Sequence, residues 1–301
     1  FTGIVRDKLG RKMSKSLGNS PDPLELIDKY GADGVRMGMM LAAPAGNDIL
    51  FDDALCEQGR NFCSKIWNAF RLIKGWTVDD NIQAPDAAKL AVHWFESKQN
   101  EVAAEVADLF SKYRLSEALM AVYKLFWDEF SSWYLEMIKP AYGQGIDRTT
   151  YDATLCFLDN LLHLLHPFMP FITEEIYGNL VKKVDASAPE SVHLCDWPAY
   201  HAEWVDADLE ENMDFVLKVV VEGRAARNAS AMKNRQPLAM MYVKAAQSLP
   251  TEYCDIIKDE LNVKAVSFTD DVEAFTTYTF KPQLRTLGKK YGKLVPAIGA
   301  Y

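Results

Sequence analysis

Apolar residues recur at helical spacing through the middle of the chain. After Asp52 one apolar stripe advances in steps of three, four or seven residues and closes near Gly75. Its members are Leu55, Phe62, Ile66, Phe70 and Ile73. Because 3.6 residues complete a helical turn, these steps place the apolar side chains on one face of a helix. Similar patterns predict helices over 86–110, from about Tyr113, and over 148–166.

The helix predicted from Tyr113 is apolar on more than one face, which indicates a central position. Its apolar stripe before Pro140 comprises Leu115, Leu119, Val122, Phe126, Phe130, Trp133 and Met137. The next helix carries Tyr151, Leu155, Leu158, Leu162 and Leu165 on one side. Prolines then interrupt the pattern, and Thr173 followed by two glutamates predicts a new helix start. Together these segments predict an antiparallel helical bundle over residues 51–199.

A shorter segment, residues 1–50, precedes the predicted bundle. It opens with a β-like run and a loop, which predict a strand followed by a turn-rich connection. Asp22 and Pro23 then provide an N-cap and a first helical position. Gly31 ends that helix, and a second short helix follows.

Residues 200–301 alternate helical and β-rich patterns after the strand-like run "SVHLCDWP". Helices are predicted over 206–230 and 250–261, and the β-rich runs are "LAMMYVKA", "VKAVSFT" and "AFTTYTF". This alternation predicts a small α+β domain. The expected fold class is therefore mainly α, with a bundle between a strand–loop–helix segment and a small α+β domain.

Composition and charge exclude several classes of protein. Hydrophobic residues make up 49% and charged residues 25% of the 301 residues, which is ordinary for a folded soluble protein. A formal net charge of -9 argues against non-specific coating of nucleic acid, which needs many lysine and arginine contacts to phosphates. Five scattered cysteines without a C-x-x-C pair indicate neither a zinc site nor a disulfide framework. No apolar run reaches the ~18–20 residues of a membrane span.

The loop "GRKMSKSLGN" concentrates groups that suit a phosphate ligand. It offers the cations of Arg11, Lys12 and Lys15 and the hydroxyls of Ser14 and Ser16 between two glycines. Ammonium groups on flexible stems can follow a phosphate whose charge changes during a reaction. The alternative is a solvated basic turn, and the sequence around the loop is needed to choose between them.

Two other basic stretches could face RNA. Opposite the first apolar stripe, polar residues flank Trp67 and suit hydrogen bonding and stacking to unpaired bases: Arg60, Asn61, Lys65, Asn68 and Arg71. A second cluster near the end of the chain contains Lys281, Arg285, Lys289, Lys290 and Lys293. A weaker cluster contains Arg224, Arg227, Lys233 and Arg235. For each stretch a solvated helix face is the alternative.

His163 and His166 lie three residues apart and could imitate metal ligands. Without a third ligand at fitting distance, the pattern favours satisfied core histidines. No metal site is therefore expected.

Taken together, these motifs resemble class I aminoacyl-tRNA synthetases. Lys12 to Ser16, "KMSKS", resembles the second signature loop of that class, and the long run from "GADGVRMGMM" to "NAFRLI" is similar to the valyl-tRNA synthetase family. "HPFMPFITEEIY", "RNASAMKNRQPLAMMYV" and "KPQLRTLGKKYGKL" extend this resemblance over nearly the whole chain. The resemblance implies a Rossmann-like catalytic tail with a stem-contact region over 1–50, and an anticodon-binding domain over 51–199.

The resemblance also implies the chemistry. Lys12 and Lys15 would be catalytic in adenylation, and with Ser14 and Ser16 they would bind ATP. The partners would be ATP with Mg²⁺, valine and tRNA-Val, and the enzyme would be a cytoplasmic monomer. The tRNA would be contacted by Lys289, Lys290 and the polar face of the helix predicted after Asp52, with Arg60, Asn61, Lys65, Asn68 and Arg71.

The family's His-x-Gly-His-like signature and editing domain do not occur in this sequence. The chain starts at Phe1 rather than Met, so we expect a C-terminal fragment that is inactive alone and holds no cofactor tightly. Three alternatives stay open: a fragment of an isoleucyl- or leucyl-type synthetase, a freestanding RNA-binding module, and a helical scaffold for protein partners.

Overall fold

The computed structural model describes residues 3–43, 46–246, 248–271 and 283–295. Its α-helices are α1 Pro23–Tyr30, α2 Ala32–Leu41, α3 Asp53–Lys74, α4 Asp86–Ser111, α5 Leu115–Lys124, α6 Leu135–Ile138, α7 Arg148–Leu165, α8 Pro170–Tyr177, α9 Ala207–Ala229, α10 Thr251–Leu261 and α11 Leu284–Tyr291. Its strands are β1 Val5–Arg6, β2 Ile49–Leu50, β3 Met241–Lys244 and β4 Val266–Thr269. The predicted fold class, mainly α with short strands at both ends, is confirmed.

The segment before α3 is held by local caps and a small core. β1 and β2 pair in parallel, with Val5 opposite Ile49. Asp22 caps α1 by accepting the Leu24 N–H at 2.8 Å, as the sequence predicts. Three buried residues, Tyr30, Phe51 and Cys56, form a core that the half-buried Met13 of the loop also contacts. The loop is therefore attached to α1, α2 and the start of α3.

Helices α2 and α3 approach at backbone distance because glycines line their contact. A methyl group built on Gly59 would lie 2.5 Å from the carbonyl oxygen of Gly34. A methyl group on Gly38 would lie 2.7 Å from the backbone nitrogen of Cys56. Both distances are too short for real carbon contacts, so this packing requires glycine.

An aromatic cluster fills the centre of the bundle between α4 and α7. Phe95 packs against Phe130, Tyr134 and Phe157 with ring centroids 5.0 to 5.2 Å apart. The Tyr134 hydroxyl is 2.8 Å from Thr154 Oγ1, so its polar end is satisfied. Among the described residues no helix is both long and apolar enough to cross a bilayer.

A π-helical stretch, Leu125–Tyr134, joins α5 to α6 and changes the predicted stripe. The Leu135 N–H donates to the Phe130 carbonyl, five residues back, so each turn holds more residues than an α-helical turn. The buried positions therefore continue from Phe130 in steps of four through Tyr134 and Ile138. Trp133 and Met137, which the sequence places on the stripe, pack against the edge of the core and are partly buried, while Tyr134 and Ile138 beside them occupy its centre.

Helix α8 begins at Pro170, three residues before the predicted start at Thr173. The Thr173 hydroxyl instead donates to the Met169 carbonyl at 2.8 Å, inside the helix. The first N–H groups of α8 bind the carboxylate of Asp33, which lies far away in sequence. A capping partner on α2 thus replaces the local cap that the sequence suggested.

The run "SVHLCDWP" forms a short 3₁₀ turn, Val192–Leu194, and the predicted strand is wrong. Ser191 caps the turn, and the Val192 N–H donates to Glu174 Oε2 at 3.0 Å. The backbone therefore hydrogen-bonds to a side chain of α8, where a strand would need a neighbouring strand.

The region after the bundle combines α9, α10 and a two-stranded parallel sheet, β3 and β4. Glu210 on α9 accepts hydrogen bonds from Ser97 and Lys98 of α4, which attaches α9 to the bundle. The predicted strands in "LAMMYVKA" and "VKAVSFT" are confirmed. "AFTTYTF" lies outside the described residues.

Candidate phosphate loop and nucleic-acid interface

The loop after β1 is built around Asp7 and Asn19. Asp7 Oδ1 accepts the N–H groups of Leu9 and Arg11 at 3.0 and 2.9 Å. The Asn19 amide donates to Asp7 Oδ2 at 3.0 Å, and its oxygen accepts the Ser14 N–H at 2.9 Å. Hydrogen bonds from Asn19 and Arg11 hold the pKa of Asp7 well below its usual range. The carboxylate therefore stays ionised as the centre of the turn.

Glycine conformations set the two ends of this loop. Gly10 has φ +76° and Gly18 has φ +63°, both in the left-handed region that favours glycine. Between them, Ser14 caps a short turn by accepting the Leu17 N–H at 3.3 Å. The two glycines that flank the loop in the sequence thus allow a tight turn on each side of the lysines.

Three basic residues in β1 and the loop after it form ion pairs with carboxylates. Arg6 pairs with Asp48, and Arg11 pairs with Asp7 at 2.7 Å. Lys8 lies 2.7 Å from Asp52 and 3.3 Å from Asp53, and these carboxylates raise the pKa of Lys8. The prediction of Arg11 as a free loop cation is therefore wrong, because its charge is used inside the turn.

Lys12 and Lys15 differ from those three residues. Both are exposed, and neither forms an ion pair with any residue in the described part of the chain. The hydroxyls of Ser14 and Ser16 lie 3.1 Å apart between them. Two uncompensated ammonium groups beside two hydroxyl donors can bind the oxygens of a phosphate chain.

The outer face of α3 carries most of the predicted RNA-facing residues. Asn61, Asn68 and Arg71 are exposed, and Arg71 has no ion-pair partner among the described residues. Arg60 is exposed but pairs with Glu57 at 3.2 Å. Trp67, 36% exposed, packs against Phe70 with ring centroids 5.5 Å apart. Its free surface lies among the amides and can stack on an unpaired base.

Lys65, the fifth predicted residue on this helix, is partly buried. Its ammonium group lies 4.7 Å from the centroid of the Trp127 ring and 3.4 Å from Ser132 Oγ. Tyr123 stacks on Trp127 with centroids 5.5 Å apart. The sequence analysis did not single out this half-buried aromatic pair beside Lys65. The available signal was Trp127, which lies off the main apolar stripe of its helix.

Two models of known protein families match this chain. A model of the anticodon-binding domain of tRNA ligase matches residues 92–243, about half of the chain. The chain belongs to this family of anticodon-binding domains. A model of class I tRNA synthetases for I, L, M and V matches residues 1–52, which contain the loop. The predicted resemblance to class I synthetases is confirmed.

The individual proteins that this chain resembles are also tRNA ligases. Valine--tRNA ligase of Bacteroides thetaiotaomicron is 69% identical over 270 residues, which are 90% of this chain and 30% of that protein. Isoleucine--tRNA ligase of Clostridium tetani is 37% identical over 306 residues, covering 98% of this chain and 29% of that protein. The chain thus spans about 30% of the length of the curated relatives it matches.

One solved structure shares the fold. LeuRS of Agrobacterium radiobacter, crystallised in a ternary complex with tRNA and LeuAMS, aligns with a TM-score of 0.50 at 22% identity. The alignment covers 68% of this chain and 24% of that one. At this identity the likeness concerns the fold alone.

The predicted C-terminal basic cluster lies on α11 and the turn after it. Arg285, Lys289, Lys290 and Lys293 are exposed, whereas Lys281 lies outside the described residues. In the weaker cluster Arg227 is 6% exposed and donates to the carbonyls of Lys233 and Leu261 at 3.0 and 2.7 Å. Arg224 pairs with Glu260. The interpretation of Arg227 as part of an RNA-facing cluster is therefore wrong, because its guanidinium is buried between α9 and α10, whereas Lys233 and Arg235 of the same cluster are exposed.

The histidines do not assemble a metal site. His166 Nδ1 lies 2.9 Å from His193 Nδ1, and burial lowers the pKa of His166. His163 Nε2 is buried 3.6 Å from Asp159, beyond hydrogen-bond distance, so the prediction that both histidines are satisfied is wrong for His163. Within the described ranges no three His, Cys, Asp or Glu side chains are placed to hold a metal ion.

Proposed function

We propose that this chain is part of a valine–tRNA ligase, in which the loop acts on ATP and the helical region binds tRNA-Val. One observation carries the proposal: Arg6, Lys8 and Arg11 have carboxylate partners, whereas Lys12 and Lys15 have none among the described residues. Free cations at a loop similar to a class I signature are available for an anionic ligand. The 69% identity to a valine--tRNA ligase favours valine over the isoleucine alternative, at 37%.

In the proposed reaction the carboxylate of valine attacks the α-phosphorus of ATP and pyrophosphate leaves. Negative charge then grows on the departing phosphate oxygens. Lys12 and Lys15 would neutralise it, and the Ser14 and Ser16 hydroxyls would donate hydrogen bonds to the same oxygens. The loop offers no free carboxylate, because Asp7 is engaged by Asn19 and Arg11, so Mg²⁺ would arrive bound to the ATP phosphates.

RNA binding is proposed for α3 and, more weakly, for α11. On α3, Asn61, Asn68 and Arg71 are exposed beside Trp67, and Arg60 and Lys65 lie next to them. Lys289 and Lys290 are exposed on α11 and suit phosphate contacts. We further propose a monomeric enzyme in the cytoplasm, with domains over 1–50, 51–199 and 200–301.

The test is valine-dependent ATP–pyrophosphate exchange by the complete ligase that contains this chain. Lys15→Ala and Lys12→Ala should each lower the exchange rate by about 10²- to 10³-fold, the cost of removing one preorganised donor. The matched control is Lys8→Ala, because Lys8 is the same residue type in the same segment but is already paired with Asp52 and Asp53. Its exchange rate should stay within about threefold of wild type.

Near wild-type exchange by Lys15→Ala would contradict the proposed role of the loop. Equal losses for Lys8→Ala and Lys15→Ala would also contradict it, because they would indicate damage to folding. A freestanding RNA-binding module, the second alternative, predicts no exchange activity in any protein that contains this chain.

A further inference from the structure

Asp33 on α2 binds the free end of a helix in the bundle. Its side chain is buried, and its two carboxylate oxygens accept the N–H groups of Phe171 and Ile172 at 3.3 and 2.7 Å. These donors lie in the first turn of α8, where N–H groups lack helical partners. Two oxygens on two successive N–H groups fix the direction of α8 as well as its distance from α2.

Arg36, one turn further along α2, binds the chain just before α8. Its Nε donates to the Phe168 carbonyl at 3.0 Å, and its Nη2 donates to the Pro167 carbonyl at 3.0 Å. Residues three apart share one face of a helix, so Asp33 and Arg36 act side by side. Together they engage acceptors within the turn between α7 and α8 and donors in the first turn of α8. We call this contact the α2 clamp.

The opposite sides of α2 contact the loop and α3. Val35 and Met39 pack on the small core that also contacts Met13 of the loop. Gly34 and Gly38 pack against the α3 backbone at distances that leave no room for a side chain. One ten-residue helix is therefore in contact with the loop, with the RNA-facing helix and with the α7–α8 turn.

Burying the Asp33 carboxylate in the α2 clamp costs desolvation free energy, which argues that the geometry of the clamp matters. Burial raises the pKa of Asp33, although the two backbone hydrogen bonds oppose that shift. A buried carboxylate contributes little net stability when its desolvation offsets its hydrogen bonds. A serine or threonine could cap one N–H group of α8 without burying charge, but it could not engage two.

We infer that Asp33 and Arg36 are positioning residues, which hold the α7–α8 turn of the bundle at a fixed distance and direction from α2, and so from the phosphate loop that packs near α2. This inference rests on the proposed function. Adenylation needs the loop and ATP, whereas charging also needs tRNA held on the bundle to reach the same reacting centre. Displacing the bundle relative to the loop should therefore slow transfer to tRNA and spare adenylation, because small misplacements cost large factors in rate.

The experiment uses the complete ligase with two variants, Asp33→Asn and Arg36→Lys. Asp33→Asn retains one acceptor but presents an NH₂ group to the second N–H, and Arg36→Lys keeps the charge but loses the two-pronged contact. The matched control is Asp147→Asn: Asp147 is also buried and caps a helix, accepting the Thr150 N–H at 2.8 Å, but it lies at the other end of α7 from the α7–α8 turn. Each protein is assayed for pyrophosphate exchange and for tRNA charging.

We expect Asp33→Asn and Arg36→Lys to lower kcat of charging by about tenfold, with exchange and the KM for tRNA within about twofold of wild type. Asp147→Asn should leave the ratio of charging to exchange unchanged. An unchanged ratio in both clamp variants would overturn the inference, as would the same change in ratio for Asp147→Asn. Failure of the proposed function would look different, because wild-type protein itself would then lack valine-dependent exchange.

Discussion

Residues 3–52 and the helical bundle are stabilised in different ways. Large apolar side chains are exposed in the first region, including Leu9 at 77% and Leu24 at 69%. The small core there has three buried residues, whereas the bundle buries Trp94, Phe95, Phe126 and Phe130 completely. Caps, ion pairs and turn hydrogen bonds hold the loop region, and buried apolar area holds the bundle.

The two regions also differ in how their charged and polar groups are paired. Along the loop itself Arg6, Lys8 and Arg11 are paired with carboxylates, whereas Lys12 and Lys15 have no such partner among the described residues. In the bundle some buried polar groups have no partner in the described chain, including Glu129 Oε2 and Trp94 Nε1. The difference shows that a candidate site can be recognised by which charges its own surroundings leave uncompensated.

The largest expected effect tests the contrast in burial. Phe130→Ala removes a ring that contacts Phe95, Phe126 and Tyr134, and should lower the free energy of unfolding by about 3–5 kcal/mol. Met13→Ala removes a half-buried side chain from the small core and should cost about 1 kcal/mol. Urea unfolding of this chain, followed by circular dichroism, measures both. A Met13→Ala cost equal to that of Phe130→Ala would mean that the loop region depends on burial as the bundle does.

A smaller effect tests whether uncompensated charge also marks the RNA face. Arg71→Ala should weaken tRNA-Val binding by about three- to tenfold and reduce the salt slope by about 0.7–1, one phosphate contact. The control is Arg148→Ala, since Arg148 is exposed but pairs with Asp80 at 2.9 Å. Filter binding of this chain at several salt concentrations gives both quantities. Equal losses for the two variants would show that pairing does not distinguish the RNA-facing arginine.

The smallest effect concerns buried charge in the bundle. Burial raises the pKa of Glu129, so the folded state holds its proton more tightly than the unfolded state. The contribution of this group to stability is therefore most favourable below about pH 4 and is lost as pH rises through the folded pKa. Glu129→Gln should raise the free energy of unfolding at pH 7 by up to about 1 kcal/mol and change little below pH 4.

Urea unfolding at both pH values checks this expectation, with Glu105→Gln as control because Glu105 is exposed on α4. A stability gain that is equal at the two pH values would assign the effect to helix propensity. A loss at pH 7 would mean that the Glu129 carboxylate has a stabilising partner.

Much of the fold was accessible from local sequence patterns. Helix α1 begins at Pro23 after the cap Asp22 and ends before Gly31, as predicted, because helix capping depends only on the few neighbouring residues. The π-helical stretch was not accessible, because its wider turn depends on how Phe130 and Tyr134 pack against α4 and α7. The start of α8 was missed for a similar reason, since its capping carboxylate comes from Asp33, 138 and 139 residues away along the chain.

The candidate site, like the fold, could be predicted from the sequence only in part. The loop sequence indicated Lys12, Lys15 and the two serines, but only the structure shows that Arg11 is consumed by Asp7. Residue type and spacing place Lys65 on a helix face, whereas its contact with Trp127 depends on a neighbouring helix. Arg227 is similar, since its carbonyl partners lie on two separate segments, the turn after α9 and the end of α10. Sequence finds candidates for binding, and three-dimensional pairing decides which remain available.

The glycine contact between α2 and α3 has a consequence for motion. At the contact between Gly34 and Gly59 the two backbones touch. No side chain lies between the helices at that point, so no rotamer change there can increase the distance between them. Thermal fluctuations of the surrounding side chains are therefore not transmitted into the spacing of the two helices there. The distance between the loop lysines and α3, the helix proposed to face RNA, is therefore set in part by main-chain atoms, the stiffest components of the polypeptide.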